Sequence, residues 1–285
     1  ADSTSIDDDQ LFMCWPTLLG FSFSAKKWGE VDLNFVNPIE FDDLAFQRLV
    51  LAPEKKQLVQ GLVQNYQTSF SDIISGKGGG CIFLLHGQPG TGKTLTAEAI
   101  AELLHRPLYS VTVGELGTST SELEKSLREI LEVASAWNAV VLLDEADIFL
   151  EKRSENDIMR NAMVGIFLRL LEYHQGVLFL TTNRVKSFDP AFHSRISVAL
   201  RYPDLGRDER RQVCENLLAA AGMDGLDVDE LSAWELNGRQ LKTTIRLAQS
   251  LALSQGVPVG REHVRQTVTI AQQFKEDLEG EAGDL

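Results

Sequence analysis

Gly87-Gln88-Pro89-Gly90-Thr91-Gly92-Lys93-Thr94 fits the spacing GxxxxGK[ST]. Glycines so placed let main-chain N–H groups close around phosphate oxygens, and a helix N-terminus behind them adds a favourable dipole. Lys93 can then reach the β and γ phosphates, and the Thr94 hydroxyl can be offered to Mg²⁺. The apolar run CIFLLH (81–86) precedes this loop and the helical stretch TLTAEAIAELLH (94–105) follows it. A buried strand before and a helix after turn the spacing into a phosphate-binding hypothesis.

A second group is Val140-Val141-Leu142-Leu143-Asp144-Glu145, four apolar residues ending in two carboxylates. Open α/β sheets bind ligands at the carboxyl ends of their strands. Asp144 is placed to orient Mg²⁺ through water, and Glu145 to polarise an attacking water, which points to hydrolysis beyond binding. Asp147 reads either as a further ligand or, as the first choice, as a helix start. Asn183 ends the run Leu180-Thr181-Thr182 and is either a holder of the water against the γ-phosphate or a turn former. Arg195 is either a stabiliser of charge on a transferring phosphoryl group or half of a surface ion pair. Arg239 opens a helix, as a γ-phosphate contact or as a solvated first-turn charge. His86 precedes the loop and reads as a packing or hydrogen-bonding residue.

These residues need a frame. Residues 107–113, 140–145, 176–183 and 197–202 read as strands after 81–86, with helices between them. That alternation predicts a mainly parallel sheet with helices on both faces, an α/β fold. Ser121-Glu122-Leu123-Glu124 reads as the capping box of one helix. Another covers 155–174, with Ile158, Ala162, Ile166, Leu170 and Leu171 on one side. After Pro203-Asp204-Leu205-Gly206 the chain reads as helical over 207–221, 238–255 and 260–279. The expected organisation is an entry segment (1–40), a large α/β subdomain (41–203), a small helical lid (204–279) and an acidic tail (280–285). Within the entry segment, a β-hairpin is expected around Lys27-Trp28-Gly29, and Gly76 to Gly80 is expected to be a flexible connection.

Composition narrows the function classes. The 285 residues carry a formal net charge of −14, from 41 acidic and 27 basic side chains. That field disfavours sequence-independent nucleic-acid binding, so no nucleic-acid partner is expected. Arg207, Arg210 and Arg211, with Asp208 and Glu209 between them, read as a helix face or a ring contact. The cysteines, Cys14, Cys81 and Cys214, are sparse and far apart, which suits a reducing intracellular compartment and argues against zinc. Cytoplasm is the first reading and the mitochondrion the second. No apolar stretch reaches the length of a membrane span. Ala1 opens the chain in place of Met, as in a processed or truncated piece.

Taken in order, GQPGTGKT resembles the Walker A motif of AAA-family (AAA+) ATPases, VVLLDEAD their Walker B and TTN their sensor 1. DPAFHSRI is similar to the arginine-finger region and NGRQLK to sensor 2, and the likeness covers roughly 41–275. LDEADIFLEKR and the single-arginine SRI look most like fungal AAA proteins and a mitochondrial inner-membrane AAA group. The resemblance implies a P-loop NTPase fold, with a parallel five-stranded sheet ordered 5-1-4-3-2 and a helical lid. It also implies a hexameric homo-oligomeric ring and ATP with Mg²⁺. The implied nucleotide contacts are Gly87, Gln88, Pro89, Gly90, Thr91, Gly92, Lys93, Thr94, Leu95, Asp144 and Arg239; the metal residues are Thr94 and Asp144. Glu145, Asn183 and Lys93 are implied in catalysis, with Arg195 acting in trans on a neighbour's ATP.

Two departures matter. Many relatives carry two arginines before the fifth strand, where this chain has Arg195 alone. Relatives that thread polypeptide place an aromatic in the loop after the second strand, where this chain has Gly114-Glu115-Leu116-Gly117-Thr118-Ser119-Thr120. That loop offers little grip, which argues against a threading unfoldase. The expected function is therefore ATP hydrolysis by a remodelling or scaffold ATPase acting on a protein substrate or adaptor. The alternative is a nucleotide switch with low turnover. A small-molecule kinase would need an acceptor pocket where 114–139 forms an acidic amphipathic helix with its loop, and no NKxD motif for guanine follows the fourth strand.

Overall fold

The computed structural model describes residues 15–66, 79–150, 157–184, 189–223 and 226–282. Cys14, the acidic residues 2–9, the glycine connection at 76–78, residues 155–156, Lys186 and Asp284 lie outside them.

The chain enters through an antiparallel hairpin, β1 (Thr17–Ser22) and β2 (Lys27–Asp32). Its turn lies at Phe23–Lys26, where Lys26 adopts φ 55° and donates from its amide to Ser22 O. Lys27, Trp28 and Gly29, expected at the turn, instead pair within β2, and Trp28 faces Phe21. Phe21 and Phe23 pack on Tyr109, and Phe23 meets Trp137 edge-on. An ion pair between Lys26 and Glu115 ties the hairpin to the loop after the second core strand.

Two short helices follow, α1 (Ala45–Arg48) and α2 (Pro53–Asn65). The core then alternates β3 (Cys81–Gly87), α3 (Lys93–Leu103), β4 (Leu108–Thr112), α4 (Thr120–Ala136), β5 (Val140–Asp144), α5 (Asp147–Leu150), α6 (Ile158–Glu172), β6 (Val177–Thr182) and β7 (Val198–Tyr202). All five core strands are parallel, in the order β4-β5-β6-β3-β7. Numbered as core strands this is 5-1-4-3-2 read from the other edge. β3 opens on the apolar run CIFLL and β6 on VLFL because both faces are covered, and each turns polar only at its carboxyl end. Ile82, Leu84, Val141, Leu143, Leu178 and Leu180 point to the α4 and α6 side. Cys81, Phe83, Leu85, Val140, Leu142 and Phe179 point to the α2 and α3 side.

Two local expectations shift. The capping box of α4 is Ser119 with Glu122, each side chain bonding the other's amide. Ser121 sits inside the helix, so the cap lies two residues earlier than expected. On α6 the buried face is Val164, Phe167, Leu168 and Leu171, while Ile158 is 80% exposed and Ala162 is exposed. That helix is apolar on more than one side, so spacing alone offered two stripes. The stacking of Phe149 on Phe167 at 4.8 Å shows which one meets the core.

Beyond β7 the chain is helical among the described residues: α7 (Arg207–Ala221), α8 (Val228–Ala233), α9 (Gly238–Gln255) and α10 (Arg261–Ala282). Cys214, Leu218, Leu231, Leu241, Ile245, Val264 and Val268 form their own apolar cluster. Gly222 and Gly256 end α7 and α9 in left-handed conformations. α8 went unpredicted; six residues capped by Asp227 leave too little periodicity to read. Arg210 caps Leu205 O and Ser232 O, and Arg211 pairs with Glu215 and Asp229, so these two arginines knit the helices together.

Candidate nucleotide site

The loop 87–92 connects the tip of β3 to α3, and its glycines take the backbone shapes a phosphate cradle needs. Gly92 has φ 101°, and a Cβ added there would meet nothing within 4 Å, so the constraint is the backbone itself. Gly90 has φ 75°, and a Cβ there would lie 2.6 Å from Asn237 Oδ1. The close approach is made by the first turn of α9, where Gly238 N–H donates to Gly90 O at 2.9 Å.

Lys93 is only 7% exposed, and its Nζ donates to Gly87 O and Gln88 O, both at 2.8 Å. The ammonium thus lies folded back under the loop. Burial lowers its pKa most; Asp144 and Asp147 oppose that, Arg239 adds to it and Glu145 opposes it. Arg239 itself is exposed in the first turn of α9. Thr91 Oγ1 closes the loop by donating to Gln88 O at 2.8 Å, and Leu95 lies half-exposed on α3. His86 Nδ1 is buried and has no hydrogen-bond partner among the described residues, so this side of the ring packs rather than bonds. Burial, then the charges of Arg201, Lys55 and Lys93, hold its pKa below the usual value.

Thr94 Oγ1 lies 3.2 and 3.3 Å from the two oxygens of Asp144. The tip of β5 thus meets the start of α3. A hydroxyl and a carboxylate converging are hard oxygen donors, the set that Mg²⁺ takes while keeping waters and substrate phosphates as its other ligands. Among the described residues no cluster of three or more His, Cys, Asp or Glu that could hold a metal forms. Glu145 follows with φ 56°, a left-handed backbone that costs a side-chain-bearing residue about 1–2 kcal/mol. The turn leaves its carboxylate exposed beyond the strand tip.

Asp147 starts α5, and its carboxylate accepts from Thr182 Oγ1 and from the Asn183 amide at 3.2 Å. It therefore braces the tip of β6 as well as opening a helix. The Asn183 carboxamide makes no hydrogen bond among the described residues. Arg195 is held elsewhere. Its guanidinium donates to Leu168 O (3.2 Å), Ala191 O (3.0 Å), Ser194 Oγ (3.0 Å) and Glu172 (3.3 Å). None of these partners belongs to the phosphate loop. The residues brought together are thus 87–94, Asp144, Asp147, Asn183 and the start of α9, with Arg195 apart from them.

Residues 83–204 match the family described as ATPase family associated with various cellular activities (AAA). This stretch is an AAA ATPase domain. The wider chain is 31% identical to a 26S proteasome regulatory subunit homolog of Methanothermobacter marburgensis, over 64% of this chain and 52% of the relative. It is 35% identical to the human ATPase family AAA domain-containing protein 3B, over 45% of this chain and 21% of that protein. Fidgetin-like protein 1 of Drosophila melanogaster is 31% identical over 47% of this chain and 28% of the relative. The chain therefore spans about half of the first relative's length and much less of the other two. The AAA match ends at Asp204, before α7, so the helical segment stands outside it.

The site also shows contacts that the sequence motifs did not predict. Asn237 and Gly238 touch the loop, Asp147 braces Asn183, and Thr181 contacts the carboxylate strand. The last carried a readable signal: a hydroxyl in the buried strand VLFLTT must find a partner.

Proposed function

We propose that the protein is a Mg²⁺-dependent ATP hydrolase that works as a homo-oligomeric ring and remodels protein partners. The observation that carries this reading is the meeting of Thr94 with Asp144 beside an exposed Glu145 on a left-handed turn. Loop amides from Gly87 to Thr94, with Gln88, Pro89 and Leu95 at its rim, would bind the nucleotide, and Lys93 would swing from Gly87 O and Gln88 O onto its phosphates. Thr94 and Asp144 would hold Mg²⁺, which supplies charge neutralisation at the phosphates when bound. Glu145 would take the proton of the attacking water, and Asn183 would hold that water in line. Arg239 would read the γ-phosphate from α9. Arg195, bound to its own chain away from the loop, would serve a neighbour's ATP in the ring.

We read 41–203 as the ATPase subdomain, 204–279 as a lid and 1–40 as an entry segment packed on the core, with an acidic tail at 280–285. A relative named as a proteasome regulatory subunit homolog supports a protein substrate or adaptor. The two buried free thiols, Cys81 and Cys214, support a reducing compartment, with the cytoplasm first. No helix among the described residues is long and apolar enough to cross a membrane.

A second reading is favoured by Arg195, whose donors are already engaged by its own chain. In that reading the protein binds ATP as a switch and turns over slowly. Steady-state phosphate release by the assembled protein, with Mg²⁺ and with EDTA, separates the two. Robust turnover that requires Mg²⁺ supports the hydrolase. Tight ATP binding with almost no phosphate release supports the switch.

A further inference from the structure

Strand β6 is buried along its whole length, and Thr181 near its end is 1% exposed. A hydroxyl there has one proton to give and lone pairs to receive with. The proton goes to Asp144 Oδ1. A lone pair accepts the Glu145 amide N–H at 2.9 Å. The carbonyl of the same residue accepts the Ala146 amide at 2.9 Å. Asp144 at the end of β5 and the two residues after it thus fasten to one threonine. The register explains why: Leu143 pairs with Leu180, which brings Thr181 beside Asp144.

We propose that Thr181 is the positioning residue for both carboxylates of the ATP site, an inference that rests on the hydrolase reading above. Thr181 and Thr94 grip the Asp144 carboxylate from β6 and from α3. That pair of contacts sets the direction in which Asp144 presents its oxygens. Accepting the Glu145 N–H stabilises the left-handed backbone that carries the Glu145 side chain out of the strand. Valine at 181 would keep the shape of the side chain, lose both hydroxyl bonds and leave the Glu145 N–H unmatched. Serine would keep both. Thr181 touches no reacting atom in this scheme, so its effect passes through Asp144 and Glu145.

The test uses the full chain with Thr181→Val, Thr181→Ser and Thr181→Ala. Affinity for a fluorescent ATP analogue is read in Mg²⁺ and in EDTA, alongside kcat and KM for ATP. Thr181→Val is expected to lower kcat about 10- to 100-fold with KM little changed, and to shrink the tightening that Mg²⁺ gives to nucleotide binding. Affinity in EDTA should stay at the wild-type level, and Thr181→Ser should restore each quantity. Thr181→Ala, which only removes atoms, serves if the valine variant does not fold, with the same result expected. A wild-type Mg²⁺ effect and kcat in the valine and alanine variants would overturn the proposal. So would a serine variant as impaired as the valine one, because packing alone would then explain the loss. If the wild type binds ATP but does not hydrolyse it, the hydrolase reading fails, and the Mg²⁺-dependent affinity still decides the role of Thr181.

Discussion

The amide of Gly238 donates to the carbonyl of Gly90 at 2.9 Å, so the first turn of α9 sits directly on the phosphate loop. The contact leaves no room for a side chain, since a Cβ at Gly90 would lie 2.6 Å from Asn237 Oδ1 and 2.7 Å from Cγ. The loop and the helical segment therefore touch through main chain at this point.

Gly90→Ala should accordingly weaken ATP binding roughly tenfold or more, combining left-handed strain of about 1–3 kcal/mol with displacement of α9. Asn237→Ala removes the helix cap at about 1 kcal/mol and leaves the loop intact, so it should cost stability more than affinity. Nucleotide titrations and urea melts of both variants check this. Unchanged affinity in Gly90→Ala would contradict this prediction.

Arg195 and Glu172 form a partly exposed pair, with side chains 26% and 37% accessible, so the pair contributes at most about 1 kcal/mol to folding. Arg195→Ala also gives up the bonds to Leu168 O and Ala191 O, so it should lose some stability but still fold, and lose hydrolysis in the assembled state. Mixing it with Glu145→Gln protomers should restore part of the activity, because each supplies what its neighbour lacks. Arg195→Ala protein that hydrolyses ATP like wild type at every concentration would remove Arg195 from the trans role.

His174 lies just after α6, and burial holds its pKa down at about 4, against a smaller upward pull from a hydrogen bond with the Val177 backbone. Above pH 6.5 the ring is neutral in both folded and unfolded chains. Between pH 6.5 and about 4 the unfolded chain takes up a proton that the folded chain refuses, so stability falls with pH. The loss approaches the order of 3 kcal/mol at the acid end of that window. Urea melts of wild type and His174→Gln across that range should differ in slope, with the wild type falling more steeply. Parallel curves would contradict this assignment.

The parallel sheet was legible because strands buried on both faces, such as CIFLLH and VLFLTT, leave little doubt when helices separate them. Loop 87–94 and the acidic end of VVLLDE could be found by spacing because phosphate and metal chemistry restrict residue type so tightly. Local choices were harder. Ser119 and Ser121 both precede a glutamate at plausible spacing, and only the backbone shows which one caps α4. The hairpin turn sits at Phe23–Lys26, where Phe21 pairs with Trp28 and both Phe21 and Phe23 pack on Tyr109, tertiary contacts that the residues around Gly29 do not display. The motifs TTN and NGRQLK contain Thr181 and Gly238, but the contacts these residues and Asp147 make come from strand register and tertiary packing, which no linear motif encodes.

Glu145 holds the central claim, and Glu145→Gln tests it most directly by pairing steady-state phosphate release with ATP affinity. The substitution keeps size and the Thr181 bond to the backbone amide, and removes only the basic oxygen. Turnover should fall at least about 100-fold while ATP affinity stays within about threefold of wild type. A Glu145→Gln protein that releases phosphate at the wild-type rate would contradict the assignment of Glu145 as the base.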